Sequence, residues 1–477
     1  MNLPKFAFPS LTTILLSTGV AMAMNLPDER PNVVILLADD LGWADVGYHG
    51  GRIDTPAVDR LAREGVQLEN FHVCPLCSPT RAGLMTGRWP IRYGMGEAVI
   101  TPWRKYGLPT SERTLADLLA TAGYERRGVI GKWHLGHYQK KYLPLNRGFT
   151  HFYGHYNGAF DYFTHRREKE LDWHRNWETC HDEGYSTDLI GREAVKFIEA
   201  SPADKPFFLY VPFNAPHTPL QAKDEDIAKY RDRVADQRKR IYSAMIDSMD
   251  QAIGKILGAI DKKGITQNTF VLFISDNGAA TSFGGVNRPW RSGKGNVYEG
   301  GIRVPAVVRW PAGRISGGGT CDAMMGMIDV YPTVKRISGV TAADPNPLDG
   351  RDMLDVIRGK ASPPKRHWFS YIAQGSPDKT AVCDGTWKLI VLGGSVLDVP
   401  LDAATDTTYP APNRTIELYR LDRDPGEATN LAAEQPEIVA RLLRRLHEFR
   451  RLKIEGVPGF RDGSEGFVAP KDWKIKD

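Results

Sequence analysis

The chain has 477 residues, 42% of them hydrophobic and 25% charged, ordinary values for a globular protein that buries a large core. At roughly 150 residues per domain it has room for about three domains or fewer. The charge balance of 62 basic against 57 acidic residues, the five cysteines, and the 47 glycines and 32 prolines exclude a nucleic-acid-binding stripe, a disulfide scaffold, a coiled coil, collagen, disorder and a multispan membrane protein.

The first two dozen residues stand apart. Lys5 gives a weakly basic start, Leu11–Val20 is a short apolar run, and Ala21-Met22-Ala23 offers a small-x-small cleavage site. The pattern reads as a secretory signal over 1–23, too short for a membrane span. The other reading is a start assigned upstream of the true one, because Met24-Asn25-Leu26-Pro27 repeats Met1-Asn2-Leu3-Pro4. The expected address is the periplasm or the exterior, with no membrane span.

Beyond it, Asn32–Ala38 is a continuous apolar, β-branched run, as expected for a strand buried on both faces. Pro206–Val211, Thr269–Ser275 and, more weakly, Val304–Trp310 are of the same kind. Helix-period segments lie between them at 55–64, 111–122, 186–200 and 225–262. This alternation predicts an α/β layer fold with a largely parallel sheet. Near 344–364 the chain turns rich in Pro, Gly and Asp. Strand candidates at 380–392 and 415–421 and an amphipathic helix at 436–452 then predict a smaller C-terminal α+β subdomain. We place a catalytic domain at 24–360 and this subdomain at 361–477.

Two strand ends carry chemistry. Asp39-Asp40 follows the first buried strand, and Asp276-Asn277-Gly278 follows the strand at 269–275. Open α/β sheets place their sites at such carboxyl ends. Adjacent carboxylates repel unless a cation intervenes, and a set of oxygen donors alone suits Ca²⁺ or Mg²⁺ better than Zn²⁺. Asp-Asp can also simply cap a turn, and Asn-Gly is itself a common turn. A third feature is Cys77-Ser78-Pro79-Thr80-Arg81, followed by Thr86-Gly87-Arg88. Pro79 suits a first helical turn, so Cys77 would sit at a helix N-terminus, where an anion is favoured. Against this, cysteine is often only a small buried hydrophobe.

The Cys-x-Pro-x-Arg segment with its Thr-Gly-Arg resembles the signature of type I sulfatases. Further motifs extend the resemblance across about 31–450. They are Gly131–Gly136 (GKWHLG), Asn214–Pro219 (NAPHTP), Ser292-Gly293-Lys294 ahead of Glu299–Arg303, and Leu418–Leu421 with Asp424–Glu427. Within the family the opening segments look nearest to the arylsulfatase B branch, the N-acetylgalactosamine-4-sulfatases. The resemblance implies an alkaline-phosphatase-like large mixed sheet flanked by helices, and a sulfuric ester hydrolase.

It also implies site roles. Cys77 would be converted to formylglycine by a formylglycine-generating enzyme, and its hydrate would be the nucleophile. Asp39, Asp40, Asp276 and Asn277, with the converted Cys77, would hold Ca²⁺. Arg81, Lys132 and Lys294 would surround the sulfate, where fixed cations count most in the transition state. His217, with Lys294, would protonate the leaving oxygen, and His134 would take a proton so that the aldehyde re-forms.

One feature departs from a clean pattern. Cys74-Pro75-Leu76-Cys77 is a C-x-x-C, elsewhere a redox or zinc motif. There is no second such pair, which excludes a four-cysteine zinc site. Cys74, Cys180, Cys321 and Cys383 could form two disulfides or none. Residues 151–184 hold five of the twelve histidines with several Arg and Trp, which would suit a polyanionic sugar or only solvate a connection. His165 and Arg166 are the candidate leaving-group subsite. The expected substrate is a sulfated galactose-type sugar of a glycosaminoglycan or of an algal galactan such as carrageenan, attacked at chain ends. A phosphate or phosphonate ester hydrolase, and a sulfoglycan-binding protein without catalysis, are the competing readings.

Overall fold

The computed structural model describes residues 30–399 and 414–476, together with Met1 and Pro4. The signal-like segment lies outside the described residues. A ten-stranded mixed sheet runs in spatial order β13 (Gly319–Cys321), β2 (Val66–Leu68), β12 (Ala306–Arg309), β11 (Thr269–Ser275), β1 (Asn32–Ala38), β10 (Phe207–Pro212), β4 (Arg126–Lys132), β5 (His151–His155), β8 (His174–Arg175) and β9 (Glu178–Thr179). The central strands from β11 to β5 pair in parallel, and the flanks include antiparallel pairs. Two short pairs lie apart: β3 (Phe71–His72) with β14 (Met325–Gly326), and β6 (Arg166–Arg167) with β7 (Glu170–Leu171).

Both faces of the sheet are covered, so β1, β10 and β11 are apolar along almost their whole length. On β1 the residues alternate between two cores. Val33, Ile35 and Leu37 join one with α2 (Cys77–Thr86), α3 (Leu115–Thr121) and α8 (Met327–Ile337). Val34, Leu36 and Ala38 join the other with α1 (Pro56–Glu64), α4 (Ser186–Ala200) and α6 (Gln237–Lys262). The shorter helices are α5 (Asp224–Lys229) and the single turns α7 (Glu299–Ile302) and α9 (Leu354–Ile357).

A four-stranded antiparallel sheet follows: β15 (Trp368–Ile372), β16 (Lys379–Cys383), β17 (Trp387–Leu392) and β18 (Thr415–Arg420). One face packs against α10 (Pro436–Arg450). The other packs Ile372, Ala381, Ile390 and Tyr419 onto Leu76, Val297 and Tyr298. Leu76 is the N-cap of α2, so the small sheet supports the start of the helix that carries Cys77.

Several expected elements differ in detail. The helix expected at 111–122 starts at Leu115, because Thr114 and Asp117 form a reciprocal capping box. The expected 225–262 helix is broken after α5, and α6 restarts under Asp236, whose Oδ1 accepts from Lys239 N–H. The candidate at 304–310 is a strand only over Ala306–Arg309, since Pro305 has no N–H for the ladder. Residues 380–392 form a hairpin that turns at Asp384-Gly385, where Asp384 Oδ1 accepts from Thr386 and Trp387 N–H. All five cysteines are unpaired.

Between the small sheet and the main body lies a buried ionic cluster. Lys388 Nζ is 2.8 Å from Glu299 Oε1 and 2.8 Å from Glu427 Oε1, and His72 Nε2 is 3.1 Å from Glu299 Oε2. Removing one member leaves buried charge uncompensated, at a cost of about 3–5 kcal/mol. Lys388→Met is therefore expected to lower stability to denaturant by about that amount. An unchanged unfolding midpoint would show that the cluster contributes nothing net.

Candidate active site

β1 and β11 are parallel neighbours in register, Ala38 opposite Ser275. Their next residues, Asp39-Asp40 and Asp276-Asn277, are therefore forced side by side at the carboxyl end of the sheet. Asp40 takes a left-handed φ of 69°, and its N–H donates to Asp276 Oδ1 at 3.2 Å. All four side chains are buried. Carboxylates this close and this dry must be compensated.

Three cations supply the compensation. Arg81, on α2, donates from Nη2 and Nε to Asp276 Oδ2 at 2.7 and 3.0 Å and from Nη1 to the Lys132 carbonyl at 3.0 Å. Lys132, the last residue of β4, has its Nζ 2.5 Å from Asp39 Oδ2. Lys294 Nζ is 2.7 Å from Asp40 Oδ1. Three carboxylates thus face three cations. Burial and the neighbouring Asp276 still push the Asp39 carboxyl up to about 7, against Lys132 and Arg81. Burial would also raise Asp40, but Lys294 and the hydrogen bond from Asn277 hold it below the usual carboxylate range.

The pairing is incomplete. Asp39 Oδ1 and Asn277 Oδ1 are buried acceptors with no hydrogen-bond partner. Buried acceptors are rarely left so. The thiol of Cys77 and the carboxylates of Asp39 and Asp276 offer ligand atoms within 4.8 Å of one another, as do Asp39, Asp40 and His217. Oxygen donors with two orphaned acceptors fit the Ca²⁺ that the family resemblance implies. Asp39, Asp40, Asp276 and Asn277 would hold it, and it would raise the centre from neutrality to a net positive charge.

Cys77 is the first residue of α2, whose N-terminus favours an anion. Burial pushes its thiol up in spite of Lys132 and Lys294. The two histidines are held by backbone carbonyls that settle their tautomers. His134 Nε2 donates to Ile100 O at 2.9 Å, leaving Nδ1 as a bare, buried acceptor without a partner. His217 Nδ1 donates to Thr218 O at 2.7 Å, leaving Nε2 to face Asp40 at 3.8 Å. Burial, then the nearby lysines, holds both imidazoles below their ordinary range and so neutral.

The structure thus brings together Cys77, Arg81, Lys132, His134, His217, Lys294 and the four expected metal ligands. Arg81 is fully buried with every nitrogen committed, so it braces the carboxylates. The two residues of the expected leaving-group subsite have partners of their own. His165 is buried, stacked on Trp173 at 4.7 Å, with Nε2 donating to Gly184 O. Arg166 is exposed in the β6–β7 turn and donates to Lys169 O.

The sequence reading missed the residues that hold this set. Ser78 Oγ donates to His134 O and accepts from Ile100 N–H, both at 3.0 Å. Tyr162 OH reaches Asn214 O and His217 O at 2.6 and 2.7 Å. Asn287 ties Ala279 to Ser292, fixing the turn ahead of Lys294. Gly158 passes so close to His134 that a Cβ there would lie 2.4 Å from the imidazole. Ser78 lies inside the cysteine motif, but nothing local marks Tyr162, Gly158 or Asn287.

Comparison with known proteins agrees with this geometry. The Sulfatase family model matches residues 31–340. N-acetylgalactosamine-6-sulfatase of Mus musculus is 35% identical over 490 residues, covering 95% of this chain and 92% of that protein. Arylsulfatase J of Mus musculus is 33% identical over 465 residues, covering 89% and 76%. The crystal structure of Ps i-CgsB superposes with a TM-score of 0.82 at 29% identity, covering 92% of this chain and 96% of that one; it has also been solved in complex with k-i-k-neocarrahexaose. The family model and these relatives make the chain a hydrolase of sulfuric esters. The chain belongs to the sulfatase family.

Calcium should bind the four-oxygen set and stabilise the fold. At a hundredfold excess over its dissociation constant the gain is about 2.7 kcal/mol, read as a rise in the melting temperature of chelator-treated protein. Asp40→Asn should lose most of that rise. A wild-type melting temperature indifferent to Ca²⁺ would contradict the ligand assignment.

Proposed function

We propose that this sulfatase removes sulfate from a galactose-type sugar of a sulfated polysaccharide, a glycosaminoglycan or a galactan such as carrageenan, and does so at chain ends. The observation that carries the proposal is the placement of Cys77 at the start of a buried helix, within reach of Asp39 and Asp276. The substrate class is supported by the sugar sulfatases among the relatives and by the carrageenan-type oligosaccharide bound to Ps i-CgsB. The recessed position of Lys132, His134 and Cys77 supports entry of a chain end. The signal-like first 23 residues support export to the periplasm or beyond.

A buried thiol pushed up in pKa is a poor thiolate, which supports conversion of Cys77 to formylglycine by a formylglycine-generating enzyme before or during export. The converted residue supplies a nucleophilic hydroxyl and a second hydroxyl that can lose its proton. Ca²⁺ supplies fixed positive charge beside the ester.

The chain's own residues do the rest. Lys132 and Lys294, already pointing into the centre from opposite carboxylates, would take up the charge that builds on the sulfate oxygens. An incoming anion offsets the positive field of Lys294 on His217, so that Nε2 can carry a proton and deliver it to the leaving sugar oxygen. His134 Nδ1, bare and unpartnered, would accept the proton whose loss expels sulfate.

Cys77→Ala should lower sulfate release by about 10³-fold or more while leaving the far-ultraviolet spectrum and melting temperature close to wild type. Near-native turnover by that variant would remove the nucleophile assignment. Parallel assays with phosphate and phosphonate esters decide the competing chemistry, since faster turnover of those would overturn the sulfatase reading.

A further inference from the structure

Two adjoining cavities, of about 480 and 470 Å³, lie outside the sulfate centre and share Trp473, Lys474 and Ile475 as a common wall. Each has the size of a small-molecule site. The first opens between Pro102–Lys105, His137–Gln139 and the C-terminal segment from Gly463. The second continues past Lys140 to Tyr156, His174 and Trp177.

The floor is built rather than incidental. Trp473 is 1% exposed; its Nε1 donates to Arg167 O at 3.0 Å, and its ring meets His137 edge-on at 5.1 Å. His137 in turn bonds the Pro102 carbonyl at 3.1 Å. His174 stacks on Tyr156 at 4.1 Å. The rim, by contrast, exposes two large aromatic side chains, Tyr138 and Trp177, each 46% accessible. Both present ring faces on which a sugar can stack.

The charge is one-sided. Among the described residues, the first cavity is lined by Lys105, Lys474 and Lys476 and by no carboxylate. The second adds Lys140, and Glu178 is its one acid among the described residues. Lys105 Nζ sits 5.8 Å from the Tyr138 ring centroid. Flat apolar faces beside fixed cations suit a sugar that carries an anion. The trough is close to the reaction centre along the chain. Pro102 is two residues from Ile100, whose carbonyl holds His134, and His137 is three residues beyond His134, a chain reach of about 11 Å at most.

We propose that this trough binds the sugars next to the one being desulfated and reads a second anionic group on them. Tyr138 and Trp177 stack on ring faces, and Lys105 and Lys474 pair with a sulfate ester or a uronate carboxylate. The inference rests on the carbohydrate-sulfatase reading. It predicts affinity that rises with chain length.

The test uses the full chain with residue 77 converted, and the variant Tyr138→Ala/Trp177→Ala/Lys474→Ala. Binding of a carrageenan hexasaccharide, which carries sulfate only, and of a chondroitin sulfate hexasaccharide, which carries sulfate and carboxylate, is measured by calorimetry. Turnover of 4-nitrophenyl sulfate, too small to reach the trough, is measured alongside. The variant should bind the preferred hexasaccharide about tenfold or more weakly, with 4-nitrophenyl sulfate turnover within about twofold of wild type. The hexasaccharide that loses more affinity identifies the anion. Unchanged hexasaccharide binding in the variant, or an equal loss with both kinds of substrate, would overturn the trough. Wild-type protein that binds neither hexasaccharide would also overturn it. Binding that depends on the three residues, without sulfate release from any ester, would uphold the trough and remove the catalytic reading.

Discussion

Everything at the reaction centre follows from two parallel strands ending together. Once β1 and β11 pair in register, Asp39, Asp40 and Asp276 must share one small, dry volume. Three like charges cannot stay there alone, so Arg81, Lys132 and Lys294 are drawn in from α2, β4 and a loop held by Asn287. Even then two acceptors remain unpaired. The fold gathers oxygen donors that fit a divalent cation, and such a cation would convert a neutral cluster into one that attracts an anionic ester.

The histidines are governed by a second constraint, the backbone. A carbonyl can only accept, so His134 is fixed as an Nδ1 acceptor by Ile100 and His217 as an Nε2 acceptor by Thr218. Residues remote in sequence hold the segments that bear those carbonyls: Ser78 bonds the Ile100 N–H and the His134 carbonyl, and Tyr162 bonds the Asn214 and His217 carbonyls. The small C-terminal sheet reaches the same place by packing on Leu76. Stability of the periphery and geometry of the centre are therefore linked through particular contacts.

Much of this was legible in the linear chain, and the exceptions have physical reasons. Strands buried on both faces announce themselves as apolar runs, which is why Asn32–Ala38 and Thr269–Ser275 were found to the residue. β4 was missed because it opens with Arg126-Arg127 and carries two glycines, although its end delivers Lys132. Cys77, Arg81, Lys132, His134, His217 and Lys294, which the structure gathers at one place, could be picked out because each sits in a motif. Tyr162 and Gly158 act through contacts distant in sequence, and Asn287 through bonds across its own turn, none of which a local pattern marks. His165 and Arg166 were selected for chemical type, and burial and turn geometry gave them other partners.

The account's central claim is that this charge-balanced centre cleaves sulfate esters through a converted Cys77. Its most direct test is one preparation from a host that exports the protein, assayed twice. The mass of the peptide bearing residue 77 is determined, and sulfate release is measured on N-acetylgalactosamine-4-sulfate ends, chondroitin, dermatan, carrageenan and ulvan oligomers. The account predicts formylglycine at residue 77 and release from one of these classes. Unmodified cysteine, or a converted and calcium-loaded protein silent on every oligomer, would contradict it.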